Sequence, residues 1–259
     1  MKIGVLIKQV AGSESPLRID SNARWIEEGA IDFTINESDS YALEEALQII
    51  ERGGGEGEVV VISMGPADRT PKIIREALAK GGHRGIHINE EAPYETDPYM
   101  VANIFAESIR SESFDLILSG LQSDDLGSGQ TGVLLGELLG MATATLVMGV
   151  ELQDGKIRVK RELESGWFQW VTLPFPACIT IQSGLNQPRY PSLKGIMGAK
   201  KKEIKSIAKS ELKISGIPMQ EFSEIYLPKA EKRTEMIEGD PEKIVARLVD
   251  LFKKEIKAI

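Results

Sequence analysis

The stretch with the plainest chemical content is Gly127-Ser128-Gly129-Gln130-Thr131-Gly132, which fits G-x-G-x-x-G letter for letter. An apolar run precedes it, a helical pattern follows, and Glu151 lies about twenty residues on, so NAD binding is the first chemistry to weigh. The spacing argues against it. In that fingerprint the first glycine closes the first strand in a tight turn. Here the apolar run ends at Gly120, and Leu121, Gln122, Ser123, Asp124, Asp125 and Leu126 intervene. The first apolar run of the chain is followed by KQVAGSESPLRID, without G-x-G, and G-x-x-x-x-G-K-[ST] is absent. Two readings remain. Either the glycines only make a loop flexible, or the loop leaves the carboxyl end of a parallel strand and presents a phosphate-competent helix start at Gln130-Thr131-Gly132.

Other reactive residue types are sparse. His83 and His87 lie in or beside one strand pattern with Glu90 and Glu91 after it, and nothing nearby completes a metal-ligand set. Cys178 is the only cysteine, so no disulfide framework exists and a reducing cytoplasm is the expected location. The net charge of −8 argues against a general nucleic-acid binder, and no apolar run is long enough for a membrane span. No candidate cluster of acid, base and nucleophile emerges.

The elements that must carry the glycine loop are legible in the periodicity. Lys2 to Val10, Glu58 to Gly65, Gly85 to Asn89 and Phe114 to Gly120 read as strands. Asp39 to Arg52, Thr70 to Lys80 and Tyr99 to Glu112 read as helices. Such alternation predicts an α/β fold with a mostly parallel, doubly wound sheet. Asn36 or Ser38 is placed to cap the first helix, with Asp39 near its positive end. From Ala144 two strands joined at Asp154-Gly155 suggest a hairpin, and Pro174 and Pro176 confine part of the next extended run to an edge or bulge. An antiparallel edge on the parallel sheet follows.

After Gly184 the chain turns polar, with little apolar content from Ala208 to Gly239. A closing helix, Pro241 to Ile259, is capped by Asp240 and carries an apolar stripe of Ile244, Val245, Leu248, Leu251, Phe252 and Ile256. That stripe needs a surface, in this chain or in a partner. The expected division is an α/β domain over 1–184 and a C-terminal arm over 185–259.

Several segments, in order, resemble the electron transfer flavoprotein β-subunit family. They are VLIKQV, INESDSYALEEALQI, ISMGPADRTPKIIREALAKGGHRGIHI, LILSGLQSDDLGSGQTG, VKRELESGWFQWVTLPFPACIT and LNQPRYPSLKGIMGAKKKEI. The likeness covers about four-fifths of the chain. Ser165 stands where relatives usually carry Gly or Asp, Cys178 where they carry an aliphatic, and Trp167-Phe168 lengthens one turn.

The resemblance implies a Rossmann-like sheet of the adenine-nucleotide-hydrolase kind, in a heterodimer whose α subunit holds most of an FAD. The β subunit would bury AMP or, in flavin-bifurcating members that use NADH, a second FAD. The Thr in Gln130-Thr131-Gly132 resembles the AMP type. Carried over by position, the nucleotide contacts are Leu6, Asn36, Glu37, Ser38, Asp39, Met64 and Gly120 to Leu126. They continue through Gly127, Ser128, Gly129, Gln130 and Thr131. Tyr190, Pro191, Ser192, Leu193, Lys194, Ile196 and Met197 correspond to the segment that docks dehydrogenases, with Leu193 as anchor. The implied partners are an α subunit, acyl-CoA-type or other flavin dehydrogenases, and a quinone-reductase acceptor. The implied role is electron transport.

Overall fold

The computed structural model describes residues 1–228, 234 and 236–258. They form two compact units, Met1–Ile225 and Tyr226–Ile259.

Within the first unit the strands are β1 (Lys2–Leu6), β2 (Gln9–Ala11), β3 (Phe33–Ile35), β4 (Glu58–Gly65), β5 (Arg84–Asn89) and β6 (Leu116–Gly120). They continue as β7 (Ala142–Gln153), β8 (Lys156–Glu162), β9 (Phe168–Pro174), β10 (Ala177–Ile181) and β11 (Ile204–Ala208). The helices are α1 (Glu37–Arg52), α2 (Thr70–Lys80), α3 (Pro98–Ile109), α4 (Thr131–Leu138) and α5 (Leu193–Ala199). The main sheet runs β11-β5-β4-β1-β6-β10-β7-β8-β9. It is parallel from β11 to β7, and β8 and β9 add an antiparallel edge. The α/β class, the parallel sheet and its antiparallel edge agree with expectation.

Strand composition explains the layering. Ile3 and Val5 point to one face and Gly4 and Leu6 to the other, so the central strand is apolar on both sides and needs helices on both. One core packs Val59, Val61, Leu116 and Leu118 with Leu43, Leu47, Ile73 and Leu78 from α1 and α2. The second packs Val60, Ile62, Ile86 and Ile88 with Ile104, Phe105 and Leu135 from α3 and α4.

Several boundaries differ from the sequence reading. The first strand stops at Leu6, and Gln9–Ala11 pairs with Phe33–Ile35 in a separate antiparallel sheet. The helix expected over Tyr99 to Glu112 ends at Ile109 and tightens into a 3-10 turn. The extended run around the prolines is two strands. Pro174 ends the edge strand β9, whereas β10, after a cis Phe175–Pro176 bond, inserts between β6 and β7 with all five residues buried.

The boundary expected at Gly184 does not coincide with the compact units. Ile204 and Ile207 return the chain to the sheet, where β11 pairs in parallel with β5. Ser165 is in the left-handed region at φ 57°, the conformation that favours glycine at such a position.

The second unit contains α6 (Pro241–Leu251), extended by wider turns over Phe252–Ile256. Asp240 caps it, its Oδ1 accepting from Lys243 N–H at 2.9 Å. The helix ends at Ile256, before the expected Ile259, which lies outside the described residues. None of its residues is buried, and Val245, Leu248, Phe252 and Ile256 are exposed. Part of the polar segment expected from Ala208 to Gly239 also lies outside the described residues.

Candidate functional site

The strand order puts β4 on one side of β1 and β6 on the other, so the direction in which strands are added to the parallel sheet reverses between β1 and β6. Crevices beyond the carboxyl ends at such a point are where open α/β sheets bind ligands. Two segments converge there: the start of α1 and the loop from Gly120 to Gln130.

Asp39 spans the crevice. Its Oδ1 accepts from Gly120 N–H at 2.7 Å and its Oδ2 from Lys8 N–H at 2.7 Å, tying the ends of β6 and β1 to α1. Burial pushes its carboxyl up to about 7, against the two backbone N–H groups, Asn36 and the Lys8 cation, which all favour the charged form. Gly120 is required for this approach, because a Cβ there would overlap Ser38 Oγ and lie 2.5 Å from Asp39 Oδ1.

Asn36 occupies the helix N-cap but makes no cap bond of its own. Its amide reaches across the crevice instead. Nδ2 donates to Gln122 O at 2.9 Å and to Ser38 Oγ at 3.0 Å, and Oδ1 accepts from Asp124 N–H at 2.8 Å. Ser38 Oγ also donates to Gln122 O, at 2.8 Å. Asp124 supplies the missing cap, its Oδ2 accepting from Glu37 N–H at 3.0 Å.

These bonds give both acidic residues of the loop a positive partner. Asp124 faces the positive end of α1, and Asp125 pairs with Lys8 Nζ at 2.6 Å. Lys8, which also donates to Ser123 Oγ at 3.3 Å, was missed by sequence reasoning. Its position directly beyond the first strand was the available signal.

Beyond the acidic turn the loop opens. Gly127 and Gly129 adopt φ of 60° and 63°, where a side chain would be strained. Gln130 precedes α4 without a side-chain cap, and the first turn of α4 has no acidic residue. Among the described residues no protein acceptor is bonded by the N–H of Gly129, Gln130 or Thr131. Gly132 acts in packing instead. A Cβ there would lie 2.6 Å from both Ser119 Oγ and Thr180 Cγ2, so its absence lets α4 sit directly on β6 and β10. The arrangement offers uncapped N–H donors, the hydroxyl-bearing Thr131 and a positive helix end beside polar side chains, which suits a phosphorylated ligand.

The remaining sequence candidates are placed differently. Leu6 is buried in the α3/α4 core, and Met64 is half-buried on β4 against the same core. Leu121, Ser123, Leu126 and Thr131 are partly buried, whereas Gln122 and Ser128 are exposed.

Both histidines serve the scaffold. His83 Nδ1 accepts from Val59 N–H at 3.0 Å, and buried His87 lies 2.8 Å from Gly65 O by Nε2. Among the described residues no group of three His, Cys, Asp or Glu is placed to hold a metal ion. Cys178 is buried beneath α4, its Sγ–H donating to Gly132 O at 3.2 Å, and burial pushes its thiol up to about 12. Among the described residues no helix is long and apolar enough to cross a membrane.

Tyr190, Leu193 and Met197 are 92%, 83% and 72% exposed. Leu193 opens α5, capped by Ser192 Oγ accepting from Gly195 N–H at 3.0 Å. Ile196 is also exposed, and Pro191 and Lys194 flank the same turn.

Comparison with known proteins agrees with this architecture. The electron transfer flavoprotein domain model matches residues 24–212. The chain is 33% identical to the electron transfer flavoprotein subunit beta of Methylophilus methylotrophus, over 98% of each chain. It is 32% identical to that of Bacillus subtilis (strain 168), over 100% of each. To that of Bradyrhizobium diazoefficiens it is 36% identical, over 98% of each. The chain belongs to the electron transfer flavoprotein β-subunit family.

Proposed function

We propose that this chain pairs with an α subunit to form a soluble cytoplasmic electron carrier, and that its crevice buries AMP. The observation that supports the nucleotide site is the uncapped start of α4, with unbonded N–H groups at Gly129, Gln130 and Thr131 beside the Asn36–Asp124 network. On this reading Gly129, Gln130 and Thr131 hold the phosphate. The Asn36, Ser38 and Asp39 cluster fixes the loop that carries them. Asp39 needs no catalytic role, because both its oxygens are spent on backbone N–H groups.

FAD, held mainly by α, supplies the redox chemistry, and the protein positions and shields it. The heterodimer then takes electrons from acyl-CoA-type or other flavin dehydrogenases and delivers them to a quinone reductase. The exposed Tyr190–Met197 crest serves as the docking surface for the dehydrogenase, with Leu193 as its anchor. An exposed apolar residue ringed by polar contacts is a common way for a small interface to gain affinity.

The test of the nucleotide site is Gly129→Asp in the heterodimer. It puts a side chain on a left-handed residue and a negative charge at the phosphate position. Loss of adenine nucleotide from the purified complex, with the heterodimer intact, is expected. Full retention contradicts the assignment.

A further inference from the structure

The crest raises a mechanical question. Helix α5 has seven residues and buries only Ala199, and so short a helix does not hold itself together in water. Something must fix Tyr190 and Leu193 in place.

Beneath and behind α5 the fastenings come from α2. A Cβ at Gly195 would run into Ala79 O, so the two backbones touch. Arg75 Nη1 donates to Ala199 O at 2.6 Å and also to Lys202 O, and Lys202 Nζ donates to Leu78 O at 2.9 Å. These hold the helix and its exit. They do not reach the entering strand of chain that carries Tyr190.

That strand is held by Arg189. Its Nε and Nη2 donate to Glu44 Oε2 at 2.8 Å and Oε1 at 3.0 Å. Its Nη1 and Nη2 donate to Glu51 Oε1 at 2.6 Å and Oε2 at 3.0 Å. Its backbone N–H also reaches Glu44 Oε2, at 3.2 Å. Nearby, Asn186 Nδ2 donates to Tyr41 O at 3.0 Å and Glu45 Oε2 at 3.3 Å.

Glu44 and Glu51 lie two turns apart on one face of α1, and one planar guanidinium bridges both. Glu44 is 5% exposed, whereas Glu51 is open to solvent, so the Glu44 arm is the stronger. Burial works to raise Glu44, but the bonds from Arg189 and Gln48 outweigh it and keep its carboxyl below the ordinary range.

We infer that Arg189 is a positioning residue for dehydrogenase docking: its fork onto Glu44 and Glu51 fixes the Tyr190–Leu193 entry to α5 on the rigid α1 helix. The inference rests on the docking reading of the crest. Arg189 itself need not touch the partner, since its charge is already matched by two carboxylates.

The experiment uses the heterodimer as electron acceptor of its donor dehydrogenase, with variants Arg189→Met, Arg189→Lys and Leu193→Ala. Arg189→Met should raise the KM for the heterodimer about fivefold or more while leaving kcat unchanged. Amide exchange over 190–197 should quicken, with bound cofactors retained. Arg189→Lys keeps the charge but not the fork, so it should fall nearer to Met than to wild type. It also carries the test if Arg189→Met does not fold.

Unchanged KM in Leu193→Ala would remove the docking reading itself. A raised KM in Leu193→Ala, with wild-type KM and exchange in the Arg189 variants, would overturn the positioning role alone. A raised KM in the Arg189 variants without faster exchange over 190–197 would overturn it too, because Arg189 would then act by direct contact.

Discussion

The carboxylate of Asp39 and the backbone N–H of Gly120 meet at 2.7 Å, joining the start of α1 to the end of β6 across the crevice. The contact exists only because Gly120 has no side chain. Gly120→Ala should therefore displace Ser38 and Asp39 and destabilise the fold by about 1–3 kcal/mol, the usual cost of overpacking. Chemical denaturation checks the stability. A variant as stable as wild type would mean that the crevice is more yielding than this geometry implies.

Asp39 also predicts a pH signature. A buried acid whose folded pKa is raised contributes most below its unfolded value and loses that contribution as pH rises through the folded value. Burial sets the folded value at about 7 against an ordinary 3.8, so the loss falls between about pH 4 and pH 7. The stability deficit of Asp39→Asn should thus be larger near pH 5 than near pH 8. The change amounts to roughly 1.4 kcal/mol per unit of pKa difference. A carboxyl NMR titration of Asp39 with its midpoint below 4 would contradict it.

Thr131 places a hydroxyl at the first helical position of α4. On the proposed nucleotide reading, Thr131→Val should cost on the order of 1–2 kcal/mol of nucleotide affinity, with little change in volume. Nucleotide release during gel filtration reads this directly, and wild-type retention would remove Thr131 from the site.

Cys178 offers a control on the scaffold. Buried under α4 with its thiol pushed up to about 12, it should resist iodoacetamide at pH 8 in the native state and react once the chain unfolds. Fast native labelling would mean that α4 opens readily.

Much of this was visible in the sequence, for physical reasons. β4 and α2 match the sequence reading residue for residue, because long apolar or amphipathic runs between glycines leave few alternatives. β3 was hidden because three residues carry no periodicity. β11 was hidden because an edge strand flanked by lysines reads as polar arm until Ile204 and Ile207 are seen against the sheet. β9 and β10 read as one extended run, and only the fold shows β10 as a separate buried strand.

At the candidate site, the resemblance named residues but not the bonds they make. Asn36 was legible as a cap, yet its amide spans the crevice to Gln122 and Asp124. Lys8 lay within a resembling segment, VLIKQV, but was not among the residues carried over as contacts. Arg189 stood next to the proposed docking segment, but its partners on α1 are far away in the chain and only the fold brings them together.

The most direct measurement of the central claim is to co-express the chain with an α subunit, denature the purified heterodimer and identify the released nucleotides. One FAD and one AMP per heterodimer are predicted. Two FAD, or FAD with no second adenine nucleotide, would contradict an AMP-bearing carrier.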